Sequence, residues 1–253
     1  MTIELQQVSK TFRSQAGPIK AVEGMSLTIP EGQFLCMVGS SGCGKTTFLN
    51  LLAGLEIPET GNILFRGNRI TGPDRNRVML FQQPALFPWL RVGQNVEFGL
   101  RMSGVPRIER LPIVARLLDL VKLSKFIRSF PHELSGGMKQ RVALAAGLAI
   151  DPAVLLMDEP FAALDAQTRD ELHDELEAIW LKTRKTIVFV THNVREAARL
   201  ADRVALMTSE GRIVKEYEIS LPRPRHIEDA EVAKMAAAIR DDLKRDSRPE
   251  VMP

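Results

Sequence analysis

Only two cysteines occur in 253 residues, Cys36 and Cys43, seven positions apart and with no second pair. That excludes a disulfide framework and a zinc site alike. No apolar run approaches the roughly 20 residues needed to span a bilayer. The opening "MTIELQQVSKTF" lacks the basic-then-apolar order of an export leader. A soluble, cytoplasmic protein is expected. Charge of neither sign is in excess, since 34 lysines and arginines stand against 31 acids for a net +3. Nucleic-acid binding usually shows a concentrated basic stripe, so nucleic acid is not an expected partner. Internal repeats and low-complexity segments are missing too.

What is present can fill a core, because 45% of the residues are hydrophobic. The first third carries the alternating or β-branched runs "IELQQV", "MSLTI" and "NILFRG". With the turns "ETGN" and "RGN", they predict short antiparallel strands. Runs of the buried-strand kind follow: "FLCMV" (34–38), "AVLLM" (153–157) and "TIVFV" (186–190). Each leads through a turn into a helical pattern, which predicts a parallel sheet with helices on its faces. Residues from roughly 95 to 150 lack such runs and read as helices. The expected fold is α/β: a parallel core, an N-terminal antiparallel β subdomain and a helical insertion. After Ser220 comes "LPRPR", whose prolines block helix and central strand. A charged, alanine-rich helix follows, predicted to pack through Val232, Met235 and Ile239.

Chemistry concentrates in "GSSGCGKTT": Gly39, Ser40, Ser41, Gly42, Cys43, Gly44, Lys45, Thr46 and Thr47. It fits G-x-x-x-x-G-K-[ST] between a predicted strand and the helical "FLNLLAGL". Glycines let backbone N–H groups wrap a polyphosphate without Cβ clashes, and the helix N-terminus favours its charge. Lys45 then reaches the β- and γ-phosphates of a nucleotide such as ATP, and the Thr46 hydroxyl ligates Mg2+. Cys43, inside this loop and next but one to Lys45, is expected to be a reactive thiol. Cys36 reads as buried filler. In "AVLLMDEP", an apolar strand ends in Asp158 and Glu159, at the carboxyl edge where parallel sheets bind ligands. Asp158 is expected to hold Mg2+ through water, and Glu159 to polarise an attacking water. His192 follows the strand of "TIVFVTHN" at the same edge and can meet a γ-phosphate. His132 reads as structural; His173 and His226 read as surface positions.

One stretch resists this inventory. "SGGMKQR", Ser135 to Arg141, puts a glycine pair directly before the helical "VALAAGLAI". A bare helix start binds anions, yet the chain already has one at Gly42 to Thr46. Two make sense if they serve different nucleotides.

Taken together, "GSSGCGKTT", "LSGGMKQR", "LLMDEP", "ALD" and "VTH" resemble, in order and spacing, the ATP-binding-cassette (ABC) ATPases. The resemblance runs from about residue 2 to 220. It implies a nucleotide-binding domain over 1–220, with a helical subdomain at about 84–150 and a tail with a helix over 221–253. It implies that Phe12 stacks on adenine and that Gln82 senses Mg2+ and the attacking water. Ser135, Gly136 and Gly137 would grip the γ-phosphate held by a second copy, two ATP molecules being sandwiched head to tail. Asp165 would speak across the dimer to the partner's phosphate loop. "PALFPWLRVGQNVEFGL" (84–100) and "LPRPR" resemble the taurine, sulfonate and nitrate importer group. That implies a peripheral subunit on the cytoplasmic face of the inner membrane, powering uptake of a small anion. A transmembrane permease would dock around Phe87, Pro88, Trp89 and Leu90, and a periplasmic or lipid-anchored substrate-binding protein would act through it. Two alternatives stand beside this reading: the ATPase subunit of an exporter or lipid-trafficking complex, and a non-transport ABC ATPase. The latter usually has a long coiled-coil insertion or two cassettes, and neither is visible here.

Overall fold

The computed structural model describes residues 2–14 and 17–246. Two compact units form: Met1–Asp74 with Arg184–Pro253, and Arg75–Thr183. Along the first leg run strands β1 (Ile3–Ser14), β2 (Gly17–Ile29) and β3 (Phe34–Gly39), helix α1 (Lys45–Ala53), β4 (Thr60–Phe65) and β5 (Asn68–Arg69). The middle leg holds β6 (Arg77–Leu80), α2 (Val92–Met102), α3 (Arg107–Leu120), α4 (Gly136–Ala149), β7 (Val154–Asp158) and α5 (Ala166–Thr183). The last leg holds β8 (Thr186–Thr191), α6 (Val194–Leu200), β9 (Arg203–Met207), β10 (Ile213–Glu218) and α7 (Ala230–Asp246). Among the described residues no helix is long and apolar enough to cross a membrane.

In the first unit an antiparallel sheet runs β2-β1-β4-β5. Its first two strands are long, 12 and 13 residues, rather than short as expected. The reason is a bulge at Gln7, whose φ is +50°. The pairing shifts between Leu5 and Val8, and the Gln7 N–H donates instead to Ser26 Oγ at 3.1 Å. An extra residue breaks the in–out alternation, so one strand reads as two short runs. A second sheet runs β10-β9-β3-β8. Every residue of β3 and β8 is buried. β3 lies parallel to both β8 and β9, and Val38 pairs with Thr191. The segments following β3 and β8 therefore leave the sheet side by side.

β9 was not expected, because "ARLADRVALM" continues the helical period of α6. Asp202 ends that helix by accepting the Phe34 N–H at 3.0 Å and pairing with Arg223 at 3.0 Å. The tail helix α7 packs on α6. Val232 and Ile239 are buried and Met235 is half-buried, the face expected for it. Lys215 (2.5 Å) and the Tyr217 hydroxyl both donate to Asp242, tying β10 to α7. These donors, Lys215 first, hold the Asp242 carboxyl below its usual range.

The irregular "LPRPR" stretch is fastened by Arg225. Its buried guanidinium donates to the carbonyls of Ala201 (2.6 Å), Ile219 (2.9 Å) and Leu221 (2.9 Å). A planar fork reaches several carbonyls at once, which an ammonium on a flexible stem does not.

In the second unit β6 and β7 are parallel, with Leu80 opposite Met157. Helices α2, α3 and α4 pack together, and α4 also packs on β6 and α5. Arg141 binds Glu171 (3.1 Å) and Glu175 (3.3 Å) on α5. His173, expected at the surface, is fully buried. It meets the Phe161 ring edge-on at 5.4 Å between centroids. Positions 173, 176 and 180 share one helix face, so His173 lies in the apolar stripe of Leu176 and Trp180.

The Arg225 cage makes a prediction for the first unit. Replacing Arg225 by Met strands several buried carbonyls and should cost on the order of 3 kcal/mol. Chemical denaturation followed by circular dichroism measures it, and Arg225→Lys should recover only part of the loss.

Candidate active site

In the first unit the phosphate loop is shaped by sterics. Gly44 sits at φ +104°, and a Cβ there would stand 1.9 Å from the Ala21 carbonyl oxygen. Any side chain at 44 would push the loop off β2. Gly42, at φ +82°, has open space where its Cβ would be. The ladder of α1 begins only at the Phe48 N–H, which donates to the Gly44 carbonyl at 2.8 Å, and no acid stands in its first turn. Backbone N–H groups and a positive helix end are thus directed into the loop. Buried Lys45 donates from Nζ to the carbonyls of Gly39 (2.9 Å) and Ser40 (2.8 Å). Its ammonium is held at the crown of the loop. Ser40, Ser41 and Thr46 are exposed, and Thr47 is half-buried.

Cys43 corrects an expectation. It is buried, and a Cβ on Gly39 would lie 2.6 Å from its Sγ. The thiol is tucked under the loop, against the Gly39 backbone. Cys36 is buried likewise, and burial pushes its thiol well above its ordinary pKa.

Phe12 is exposed on β1, paired across the sheet with exposed Ile19, and the Lys10 ammonium lies 5.3 Å from its ring centre. His192 is exposed just past β8. Its turn is fixed by the Thr191 hydroxyl, which donates to Glu196 (2.6 Å) and accepts the Asn193 N–H (3.0 Å). The β3–β8 register brings His192 to the edge where the phosphate loop begins.

The second unit gathers the acids. Because Leu80 faces Met157, the segment carrying exposed Gln82 leaves the sheet beside Asp158 and Glu159. Glu159 adopts φ +42°, a left-handed conformation costly for a residue with a Cβ. Ser135 caps α4 by accepting the Met138 N–H at 3.3 Å. Ser135 and Gly136 are exposed, while Gly137 is buried. A Cβ at 137 would stand 2.4 Å from Thr168 Cγ2, so the starts of α4 and α5 touch. Asp165 caps α5, accepting the Thr168 N–H at 3.0 Å. Hydrogen bonds from Thr168 hold its carboxyl below the usual range.

Two residues of this unit escaped sequence reasoning. Buried Asn95 accepts the Phe87 N–H (2.8 Å) and donates to the Phe87 (3.2 Å), Leu90 (3.0 Å) and Arg91 (3.1 Å) carbonyls. It locks the turn that presents Trp89, a residue 71% exposed. Beside that turn a cavity of about 210 Å³ opens, lined by Leu80, Phe81, Phe87, Phe98 and Ala143 among others. Buried Gln140 donates to the carbonyls of Gln82 (2.8 Å) and Pro160 (2.5 Å). The one available signal was helical spacing. Asn95 lies three residues beyond buried Val92, and Gln140 three beyond buried Gly137.

These motifs have relatives. The family model for the ABC transporter matches residues 22–162. A nitrate import ATP-binding protein of Synechocystis is 46% identical over 88% of this chain and 84% of its own. A taurine import ATP-binding protein of Roseobacter denitrificans is 46% identical over 86% and 82%. Among solved structures, a dimeric post-hydrolysis ATP-binding cassette bound to ADP and Pi superposes with a TM-score of 0.77 at 31% identity, covering 87% of this chain and all of that one. The chain belongs to the ABC transporter family, and its fold is that of the family's ATP-binding cassettes.

Burial of Cys43 predicts slow labelling. Alkylation of the native protein should be far slower than of the unfolded chain, with or without MgATP, read by peptide mass spectrometry. Rapid labelling that MgATP suppresses would restore the reactive-thiol reading.

Proposed function

We propose that this chain is the ATP-binding and ATP-hydrolysing subunit of an ABC importer for a small anion such as a sulfonate, taurine or nitrate. The carrying observation is the pair of strand registers. One sets the phosphate loop beside His192; the other sets Gln82 beside Asp158 and Glu159. The anion class rests on the nitrate and taurine import relatives. Residues 1–220 act as the nucleotide-binding domain, with a helical subdomain at about 84–150, and 221–253 as a tail with a helix.

Loop residues Gly39 to Thr47 take the phosphates of ATP, Lys45 supplying the compensating charge, and Phe12 stacks on adenine. Among the described residues no cluster of three or more His, Cys, Asp or Glu gathers as a metal cage. The oxygen donors of Thr46, Gln82 and Asp158, with a single carboxylate among them, suit Mg2+, which takes few protein oxygens alongside phosphate oxygens and water. Thr46, Gln82 and Asp158 would hold it, and when bound it neutralises charge on the phosphates. Glu159 accepts the proton of the attacking water, Gln82 orients that water, and His192 contacts the γ-phosphate. Ser135 with the Gly136 and Gly137 backbone grips the γ-phosphate of a second copy in a head-to-tail dimer. Asp165 borders the partner's phosphate loop. Assembly of relatives as dimers supports this pairing.

A transmembrane permease would dock at Phe87, Pro88, Trp89 and Leu90. The chain then sits peripherally on the cytoplasmic face of the membrane, and a substrate-binding protein acts through the permease. Support comes from Trp89, an exposed aromatic on a turn that Asn95 makes rigid.

Two predictions test the reading. Glu159→Gln should lower kcat by about a thousandfold yet retain an ATP-dependent dimer in light scattering, and adding Ser135→Arg should abolish that dimer. Undiminished turnover would remove Glu159 from its role; an undiminished dimer would remove Ser135. Trp89→Ala should weaken permease co-purification, by about 2 kcal/mol for an aromatic anchor, while ATP binding is kept. If only folding stability falls, Trp89 is a packing residue and the docking surface lies elsewhere.

A further inference from the structure

Gln140 has no part in the roles assigned so far, and it is buried. A primary amide carries two N–H donors. Here the Nε2 group donates to two main-chain carbonyls, Gln82 at 2.8 Å and Pro160 at 2.5 Å. Gln82 lies in an irregular segment just past β6, and Pro160 follows Glu159 directly. One side chain on α4 therefore holds the main chain of both segments that carry the water-orienting Gln82 and the base Glu159.

We infer that Gln140 is a positioning residue for ATP hydrolysis, fixing Gln82 and Glu159 relative to each other and making both follow the helix that begins at Ser135. The inference rests on the ATPase reading above. Three observations carry it. Glu159 sits at φ +42°, a conformation that persists only where the surroundings over-determine it, and the Pro160 carbonyl is anchored one residue away. The next residue, Arg141, binds Glu171 and Glu175 on α5, so a shift of α4 is shared with α5 rather than absorbed. The start of α4 also abuts Thr168 near Asp165. A load on Ser135 to Gly137 from a partner's nucleotide thus reaches Gln82 and Glu159 through two hydrogen bonds.

Two variants of the full chain decide the matter. Gln140→Met keeps length and helix propensity but donates nothing. Its kcat should fall about tenfold or more. The KM for ATP should stay within about twofold, and the ATP-dependent dimer formed in a Glu159→Gln background should be undiminished. Gln140→Glu keeps the shape and donates only when protonated. Burial facing two carbonyls raises such a carboxyl, and its single O–H can serve one of them, so its kcat should recover in part relative to the parent as pH falls from about 8 to about 6. Parent-like turnover in Gln140→Met overturns the inference. So does a parallel loss of kcat, ATP affinity and thermal stability with no recovery of Gln140→Glu at lower pH, which would make Gln140 a packing residue. If Gln140→Met fails to fold, the pH profile of Gln140→Glu decides alone. Absence of MgATP turnover in the unmodified chain would instead sink the ATPase reading on which the inference stands.

Discussion

A loop that binds phosphate cannot spend its N–H groups on a regular ladder, so its shape must be set by something other than its own hydrogen bonds. In the first unit, sterics and one cation set it. Gly44 lies so close to the Ala21 carbonyl that only a hydrogen fits between them. Lys45 clips the Gly39 and Ser40 carbonyls. The loop is wedged between β2 and its own lysine, and its N–H groups keep their direction. The antiparallel sheet therefore supports the phosphate loop as well as carrying Phe12. Cys43 belongs to the same support, its sulfur filling space beneath Gly39.

The second unit and the tail solve the same problem with buried side-chain donors. Asn95 captures three carbonyls of the 87–91 turn, Gln140 captures two at the strand ends, and Arg225 captures several around the tail. A typical hydrogen bond contributes only about 1 kcal/mol net, while a buried carbonyl left without a donor costs about 1–3 kcal/mol. The arithmetic favours specificity over bulk stability. Each amide or guanidinium makes one loop geometry cheap and its alternatives expensive. Exposed groups with proposed roles, such as Gln82 and Trp89, are displayed from segments whose backbone is held by buried donors.

The parallel core was legible in the sequence because its strands are buried on both faces and read as unbroken apolar runs. β3, β7 and β8 fall within a residue or so of the runs that predicted them. The phosphate loop and the acids after β7 were legible as motifs with a chemical reason for each residue. What failed to show depends on partners distant in sequence. The Gln7 bulge is set by Ser26, the start of β9 by Asp202 bonding to Phe34, and burial of His173 by Phe161. Asn95 and Gln140 look like solvated polar residues until the loops they serve fold over them. Cys43 was misread because motif chemistry favours a thiolate there, while packing turns the thiol away from solvent.

Why position 140 carries a neutral amide follows from the base proposed at Glu159. Lysine or arginine could also donate to the Gln82 and Pro160 carbonyls, and an ionised donor makes the stronger bond. A further cation here, beside the proposed Mg2+, would stabilise the Glu159 carboxylate and lower its pKa, weakening it as the proposed proton acceptor. An amide fixes both carbonyls and adds no net charge. The adjoining guanidinium of Arg141 shows where charge is tolerated, since it turns to Glu171 and Glu175 on α5 and is neutralised there. Within two consecutive residues, α4 uses a neutral donor toward the acids of the site and a charged one toward the scaffold.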